Sequence, residues 1–126
     1  MRFFAAFLLV LAVVHPGVCA SQETPSPCDN PRNQQEINAC AKEEYSKADA
    51  TLNKTYRQLL AKLGNRQRVK MLKTAQSRWL AYRDAHCDFE AVEYSGGSMR
   101  PAVYLGCLTE LTNARVEVLT RALNQL

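Results

Sequence analysis

The segment from Ala75 to Cys87 constrains this chain more than any other, because it reads as a helix with a polar inner face. At helical spacing that face carries Leu72, Gln76, Trp79, Arg83 and then His86 or Cys87. A buried amide or guanidinium is costly without hydrogen-bonding or charged partners. The rest of the chain is therefore expected to supply partners for Gln76 and Arg83.

Apolar residues at helical spacing predict three long helices, and no segment shows the alternation typical of a strand. Helix one begins after Asn33, which with Glu36 has the form of a capping box, and ends at Gly64 like a helix closed by a C-terminal glycine. The residues expected to face inward in helix one are Ile37, Cys40 or Ala41, Ala48, Leu52, Leu59 and Leu63.

Helix two is predicted from about Arg66 to Tyr94, and helix three follows a cap at Ser98 with Pro101 in its first turn. Helix two uses Val69, Leu72, Trp79, Leu80 and Phe89 as apolar contacts. The inner stripe of helix three comprises Leu105, Leu108, Leu111, Val116, Leu119, Ala122, Leu123 and Leu126.

The tight turn at Gly64 predicts an all-α fold, an elongated antiparallel three-helix bundle. Residues equidistant from position 65 then lie side by side, so Asp49 faces positions 81–83 and is expected to pair with Arg83. Asn53 faces positions 77–79, and Tyr56 faces positions 73–76. Arg115 is a candidate to join Asp49 and Arg83 as a third charged residue. The predicted structural polar core is Asp49, Asn53, Tyr56, Gln76, Trp79, Arg83 and Arg115.

The first twenty residues have the pattern of a signal peptide. Arg2 precedes an apolar run, Phe3 to Val14, that is too short for a permanent membrane anchor, and Ala20 suits cleavage. An alternative is a lipoprotein acylated at Cys19, which the preceding residues 16–18 disfavour. Residues 21–32, with three prolines, are predicted to be an irregular lead-in, and residues 33–126 the helical domain.

Four cysteines remain after residue 20, an even number that indicates two disulfides in a small exported chain. The pairs Cys28–Cys40 and Cys87–Cys107 are favoured because each joins segments close in sequence, and the other two connectivities stay open. The two disulfides staple the bundle, and the protein is expected to be periplasmic or secreted.

Charge and chemistry exclude several classes of function. The full chain has 16 Lys and Arg against 12 Asp and Glu, a net charge of +4, and the basic residues are too scattered for nucleic-acid binding. Beyond residue 20 the only histidine is His86, and no nucleophile has a base beside it, so we expect no enzyme. Oxidised cysteines cannot bind a metal, and we expect neither a metal nor a cofactor.

Several spaced motifs together resemble one known family. They are Cys40, Ala48 to Tyr56, Ala75 to Trp79, Tyr82 to Cys87, Gly96 to Ser98, Cys107, Thr112 and Arg115. Over residues 28–123 this order is similar to the LprI-type lysozyme inhibitors, small exported helical proteins of bacteria. The resemblance implies an envelope protein that, in some relatives, binds and inhibits lysozyme. Its motifs coincide with the predicted core, so they identify the fold rather than a site.

Two segments are candidates for binding a partner, which is expected to be a lysozyme or another envelope protein. The first is the loop Tyr94, Ser95, Gly96, Gly97, Ser98 and Arg100, whose glycines allow close approach and whose serines and arginine donate hydrogen bonds. The second is the acidic group Asp84, Asp88, Glu90 and Glu93 beside it, suited to docking the basic lysozymes of animals. The simpler interpretations are an ordinary helix-connecting turn and a solvated helix face.

The alternative function is an envelope interaction or stress-response module without inhibitory activity. The residues Lys42, Lys47, Lys54, Lys62, Arg66, Arg68, Lys70 and Lys73 are expected to make the Gly64 end of the bundle basic. Such an end would suit another periplasmic protein or an anionic surface polymer. The target and the oligomeric state do not follow from the sequence.

Overall fold

The protein is described by a computed structural model that covers residues 26–126. Three helices carry the fold: α1 is Gln34–Lys62, α2 is Arg66–Ala91 and α3 is Arg100–Asn124. Short 3₁₀ turns at Pro27–Asp29 and Val92–Tyr94 precede α1 and follow α2, and no strand occurs between residues 26 and 126. The all-α prediction is confirmed. The predicted signal peptide, the cleavage site and the first part of the lead-in lie outside the described residues.

The helices alternate in direction along the chain. The Asn38 side chain near the start of α1 reaches Ser98 just before α3, whereas Asp49 of α1 meets Arg83 late in α2. Helices α1 and α3 therefore run parallel, and α2 runs antiparallel to both. Successive helices are thus antiparallel, as the sequence predicted for a three-helix bundle.

Helix α3 packs along both other helices, whereas the backbones of α1 and α2 approach each other little. The tight turn at Gly64 predicted that α1 and α2 pack side by side, and that prediction is corrected here. A tight turn sets the directions of two helices but not the distance between their axes. Long side chains, foremost Arg83, span the space between α1 and α2 instead.

The helix ends follow local hydrogen bonding. The Asn33 side chain accepts from the Glu36 N–H at 2.9 Å, as predicted for a cap. The Glu36 carboxylate accepts from the Arg32 N–H at 2.8 Å and from the Asn33 side-chain amide at 3.2 Å, but not from the Asn33 backbone N–H that a capping box requires. At the other end of α1 the expected glycine closure is wrong. Leu63 ends the helix in extended backbone, and Gly64 does not adopt a left-handed conformation.

The start of α3 also differs in part from the prediction. Pro101 lies in the first turn as expected, because that position needs no backbone donor. Met99 occupies the cap position without a side-chain bond, so Ser98 is not the cap. The Ser98 carbonyl instead accepts a hydrogen bond of 3.0 Å from the Asn38 amide group.

The core consists of two apolar clusters along α3. Leu52, Leu59 and Leu119 form one cluster towards the Gly64 end, and Cys87, Cys107 and Leu108 form the other. Three residues expected to face inward do not: Ile37 is 39% exposed, Leu126 is 49% exposed and Phe89 is 72% exposed. Periodicity finds apolar stripes but cannot tell which stripe of α2 another helix covers.

Both favoured disulfides form, Cys28–Cys40 and Cys87–Cys107, each with its Cα atoms 5.5 Å apart. The first ties the lead-in to α1, and the second joins α2 to α3 inside the core. Both bonds fit an extracytoplasmic location, where thiols are oxidised. From residue 26 onwards, no helix is both long and apolar enough to pass through a membrane.

Candidate functional site

Arg83 lies at the point where the three helices meet and is only 5% exposed. Its Nε and Nη2 donate to Asp84 Oδ1 at 2.9 and 2.8 Å, and its Nη1 lies 3.8 Å from Asp49 Oδ1. Nη1 also donates to the hydroxyl of Thr112 on α3 at 3.3 Å. The pair expected from the sequence is thus brought together, but the shorter ion pair is the local one with Asp84.

Aromatic rings complete the surroundings of this guanidinium. Arg83 lies over the rings of Tyr45 and Trp79, 5.6 and 5.3 Å from their centroids. Arg115 lies 5.7 Å from the Trp79 centroid, and its Nε donates to Gln76 Oε1 at 3.0 Å. Burial lowers the pKa of Arg115 and raises the pKa of Tyr45. Arg115 therefore forms a second polar layer with Gln76 and does not join the Asp49–Arg83 pair.

Asn53 and Tyr56 depart from their predicted partners on α2. The exposed Asn53 donates from Nδ2 to Asp49 Oδ2 at 2.8 Å within α1, so it is not a core residue. Tyr56 is half-buried and packs against the cluster of Leu52, Leu59 and Leu119. Both corrections follow from the separation of α1 and α2, which leaves Asn53 facing solvent.

Thr112 is absent from the predicted polar core, although this residue is fully buried. A signal was present, since position 112 lies four residues after Leu108 on the apolar stripe of α3. A polar residue on that stripe indicates a buried hydrogen-bonding partner. Every buried side-chain polar atom between residues 26 and 126 has a partner. The polar core thus holds the helices in register and leaves no buried group available to a ligand.

The loop between α2 and α3 is short and internally bonded. Gly96 adopts a left-handed φ of 78°, which an L side chain rarely adopts. The Gly97 N–H donates to the Tyr94 carbonyl at 3.0 Å, and the Arg100 N–H donates to the Gly97 carbonyl at 3.4 Å. With Asn38 bound to the Ser98 carbonyl, the loop is also fixed to α1.

The hydrogen-bond donors of this loop are not equally free. The Ser95 hydroxyl donates to the Val92 carbonyl, and the Arg100 guanidinium donates to Asp88 Oδ1 at 2.9 Å and lies over Tyr104. The Ser98 hydroxyl and the N–H groups of Gly96 and Ser98 have no acceptor within the described part of the chain. Arg100, expected to reach a partner, is therefore already paired.

Two of the four acidic residues beside the loop form ion pairs with arginines, and a third is hydrogen-bonded within the chain. Asp84 pairs with Arg83, Asp88 with Arg100, and Glu90 accepts from His86 at 3.0 Å. Glu93 is the one member without an ion pair among residues 26–126. The patch therefore presents less free negative charge than its composition indicates.

One group of side chains has the spacing of a metal site but not the chemistry. Ligand atoms of His86, Glu90 and Cys107 lie within 4.8 Å of one another. Cys107 is bonded to Cys87, and a disulfide sulfur offers no thiolate to a metal. This cluster cannot bind a metal while the disulfide is intact.

The basic residues form a smaller group than expected. Around the turn at Gly64, five exposed cations lie close in sequence: Lys62, Arg66, Arg68, Lys70 and Lys73. Lys47 and Lys42 lie in the first half of α1, about 25 Å and about 33 Å along the helix from Gly64 at 1.5 Å per residue. Lys47 is also paired with Glu43. The basic end is therefore built from the turn and the first turns of α2.

Comparison with known proteins gives a family and two relatives. The family model described as "Lysozyme inhibitor LprI" matches residues 28–119. "Uncharacterized protein R02472" of Rhizobium meliloti (strain 1021) is 37% identical over 123 residues, which cover 87% of this chain and 86% of the relative. "Uncharacterized protein YecT" of Escherichia coli (strain K12) is 28% identical over 97 residues, 66% of this chain and 60% of the relative. No solved structure matches.

Proposed function

This chain belongs to the LprI lysozyme inhibitor family, and from that premise we propose that it is an exported protein that binds a lysozyme and lowers its activity. The observation that carries the proposal is the extent of the match, from the first disulfide cysteine, Cys28, to Leu119 near the end of α3. The family is one of inhibitors, so the proposed activity is binding rather than catalysis.

We further propose that the loop from Tyr94 to Arg100 enters the lysozyme cleft. Lysozyme acts with two carboxyl groups, one protonated and one ionised, at the base of a deep cleft. The free hydroxyl of Ser98 and the free N–H groups of Gly96 and Ser98 are donors of the kind that would satisfy an ionised carboxylate. Bonds within the loop and the contact from Asn38 reduce the ordering cost of binding.

The acidic residues beside the loop supply a modest attraction in this proposal. Glu93 is unpaired among residues 26–126, whereas Asp84 and Asp88 are each bound to an arginine of this chain. Attraction to a basic lysozyme would then rest on few charges, and salt would weaken binding only slightly. Arg100 has a positioning role, because its pairing with Asp88 fixes the end of the loop against α2.

The localisation in this proposal is the periplasm or the exterior, after cleavage near Ala20. Two disulfides support it, because such bonds persist in oxidising compartments. Acylation at Cys19 is the alternative mode of export. Mass spectrometry of the protein from an envelope fraction separates the two, since a fatty-acid adduct on Cys19 contradicts cleavage after Ala20.

Ser98→Glu tests loop insertion. We expect the oxidised wild-type protein to inhibit chicken-type lysozyme near equimolar ratio in a cell-wall turbidity assay. The variant should need at least about tenfold more protein, because its carboxylate would face the ionised carboxylate of the cleft. Ser77→Glu is the matched control, since Ser77 is also exposed, lies on α2 away from the loop and gives the same change of charge.

The outcomes separate the family activity from the proposed contact. No inhibition by the wild-type protein at large excess contradicts the inhibitor function. Equal inhibition by the wild type and by Ser98→Glu leaves the inhibitor function standing and removes the loop from the contact. Circular dichroism of both variants checks that the helices are intact.

The basic group around Gly64 favours a second candidate function, binding to an anionic surface polymer or membrane. Arg66 and Arg68 are exposed in the first turn of α2, where acidic replacements are compatible with the helix dipole. The double variant Arg66→Glu and Arg68→Glu should lose salt-sensitive binding to vesicles of anionic lipid and keep any lysozyme inhibition. Wild-type protein that does not bind such vesicles contradicts this function.

A further inference from the structure

We propose that the outer face of α2 binds a second copy of this chain, with the two α2 helices antiparallel. This inference is independent of the proposed function. It starts from an exposed stripe on α2 whose positions are separated alternately by four and three residues. The stripe consists of Met71, Ala75, Arg78, Tyr82, Ala85, Phe89 and, in the 3₁₀ turn that continues α2, Val92.

Spacing of four and three over three heptads is the pattern of a coiled-coil seam. Helix α2 uses a different face for the bundle, where Gln76, Arg83, Cys87 and Ala91 are buried. Every position of the stripe is exposed, and Phe89 and Met71 are 72% and 62% exposed. The helix thus has two packing faces, of which α1 and α3 cover one.

The two aromatic rings of the stripe, Tyr82 and Phe89, both contact the ring of His86 beside it. The Tyr82 and His86 rings stack with centroids 5.5 Å apart, and the His86 and Phe89 rings are 6.5 Å apart. Such a ladder loses little side-chain entropy on burial. Two small residues, Ala75 and Ala85, interrupt the large ones, which allows a second helix to approach closely at those positions.

The stripe also contains a hollow of about 310 Å³ that suits an aromatic knob. It is lined by Gln67, Lys70, Met71, Thr74, Ala75 and Arg78. Four of these, at positions 71, 74, 75 and 78, have the spacing of the hole that receives a knob in helix packing. When two copies of α2 are placed antiparallel with Tyr82 near the two-fold axis, Phe89 of one copy lies opposite this hole in the other.

The distribution of charge along α2 indicates that the partner bound on its outer face is a second copy of this chain. The first half of the helix carries four cations without an ion pair between residues 26 and 126, namely Arg66, Arg68, Lys70 and Lys73, whereas its end carries the unpaired Glu93 together with acidic residues bonded within the chain. An antiparallel pair sets the basic half of one helix against the acidic end of the other, twice by symmetry. In the same placement Arg68 lies on the same side of the pair as Glu93 of the other copy and within about one helical turn of it, and neither has an ion pair between residues 26 and 126.

One pair of apposed helices is a small interface, so we expect a weak, closed dimer. Sedimentation equilibrium of the oxidised protein from about 1 μM to about 1 mM should show the mass rising from one chain to two and no further. Phe89→Glu should raise the dissociation constant of the dimer at least about tenfold. The control Val118→Glu, which changes an exposed residue of α3, should leave the constant unchanged.

A charge exchange tests the antiparallel arrangement itself. Arg68→Glu alone and Glu93→Arg alone should each weaken the dimer about tenfold at low salt, because each sets like charges near one another. The double variant Arg68→Glu with Glu93→Arg should recover the wild-type constant. A wild-type protein that stays monomeric at about 1 mM, a mass that exceeds two chains, or a double variant that does not recover each overturns the proposal.

Discussion

Arg83 joins the three helices through one side chain. Its guanidinium contacts the carboxylate of Asp49 from α1 and the hydroxyl of Thr112 from α3, while Asp84 satisfies the remaining donors from α2 itself. Asp49 is less committed, with a side chain 38% exposed and 3.8 Å from the guanidinium. Arg83 therefore depends on this ion pair more than Asp49 does. The arginine needs its partners because it is buried, whereas Asp49 can be solvated.

Substitution of the two members should therefore give unequal losses of stability. The sequence predicts about 3 kcal/mol for Asp49→Ala and for Arg83→Ala alike. From the structure we expect on the order of 3 kcal/mol for Arg83→Ala, since the buried Thr112 hydroxyl loses its partner and the packing of the guanidinium on Tyr45 and Trp79 is lost. For Asp49→Ala we expect about 1 kcal/mol or less, as for an exposed ion pair.

Urea unfolding followed by circular dichroism measures both losses. Arg121→Ala is the control, because its ion pair with Glu117 is exposed and should contribute little. Equal midpoints for the wild type and for Arg83→Ala would show that the guanidinium does not hold the helices together.

At the scale of the elements, the start of α1 is fixed by more contacts than a helix end needs. Asn33 caps the helix, Cys40 is bonded to Cys28 of the lead-in, and Asn38 reaches the loop before α3. The Glu36 carboxylate accepts from the Arg32 backbone and side chain. These bonds hold the pKa of Glu36 below its usual value, the backbone bond contributing most.

Acid should loosen this end before the bundle unfolds. Since the folded-state pKa of Glu36 is lowered, its stabilising contribution is present above pH 4.5 and is lost as the pH falls through the lower folded-state value. NMR titration should place the carboxyl of Glu36 below its usual pKa. Amide exchange in the first turn of α1 should accelerate over the same interval.

Two variants separate this effect from general acid unfolding. Glu36→Gln should remove the acid-dependent change, because the neutral amide does not titrate. The control Glu110→Gln, at an exposed position of α3, should keep the acid-dependent change at the start of α1. A Glu36 carboxyl that titrates at its usual pKa would contradict the bonding around Arg32.

At the scale of the whole molecule, α3 is the central element. It packs along both α1 and α2, and both apolar clusters include its residues, Leu119 in one and Cys107 and Leu108 in the other. The beginning of α2, in contrast, is poorly packed, since every position from residue 64 to 71 except Val69 is exposed. Stability should therefore be uneven along the chain.

Amide hydrogen exchange should reveal this gradient. We expect the strongest protection between residues 105 and 119 of α3, close to the free energy of global unfolding, and weak protection between residues 66 and 72. Mass spectrometry of peptides after exchange measures both. Equal protection of the two segments would indicate that α2 opens only with the whole bundle.

Much of the fold could be predicted from the chain itself. Helical periodicity gave the number, type and approximate limits of the helices, and Asn33 and Pro101 marked two of the starts. Proximity in sequence favoured the two disulfides that form. For the candidate site, the sequence located the loop and its acidic neighbours but not which of these side chains are already paired within the chain. Asp88 binds Arg100 twelve residues later, and only folding brings the two together.

What the sequence determined by itself was local, because hydrogen bonding within a helix, capping and turn formation depend on neighbours a few residues away. The distance between α1 and α2, the burial of Thr112 and the exposure of Phe89 were decided only by the tertiary structure. Each depends on where α3 lies. Because a helix can carry two apolar stripes and bury only one within its own chain, the burial of each stripe depends on the packing of the whole bundle.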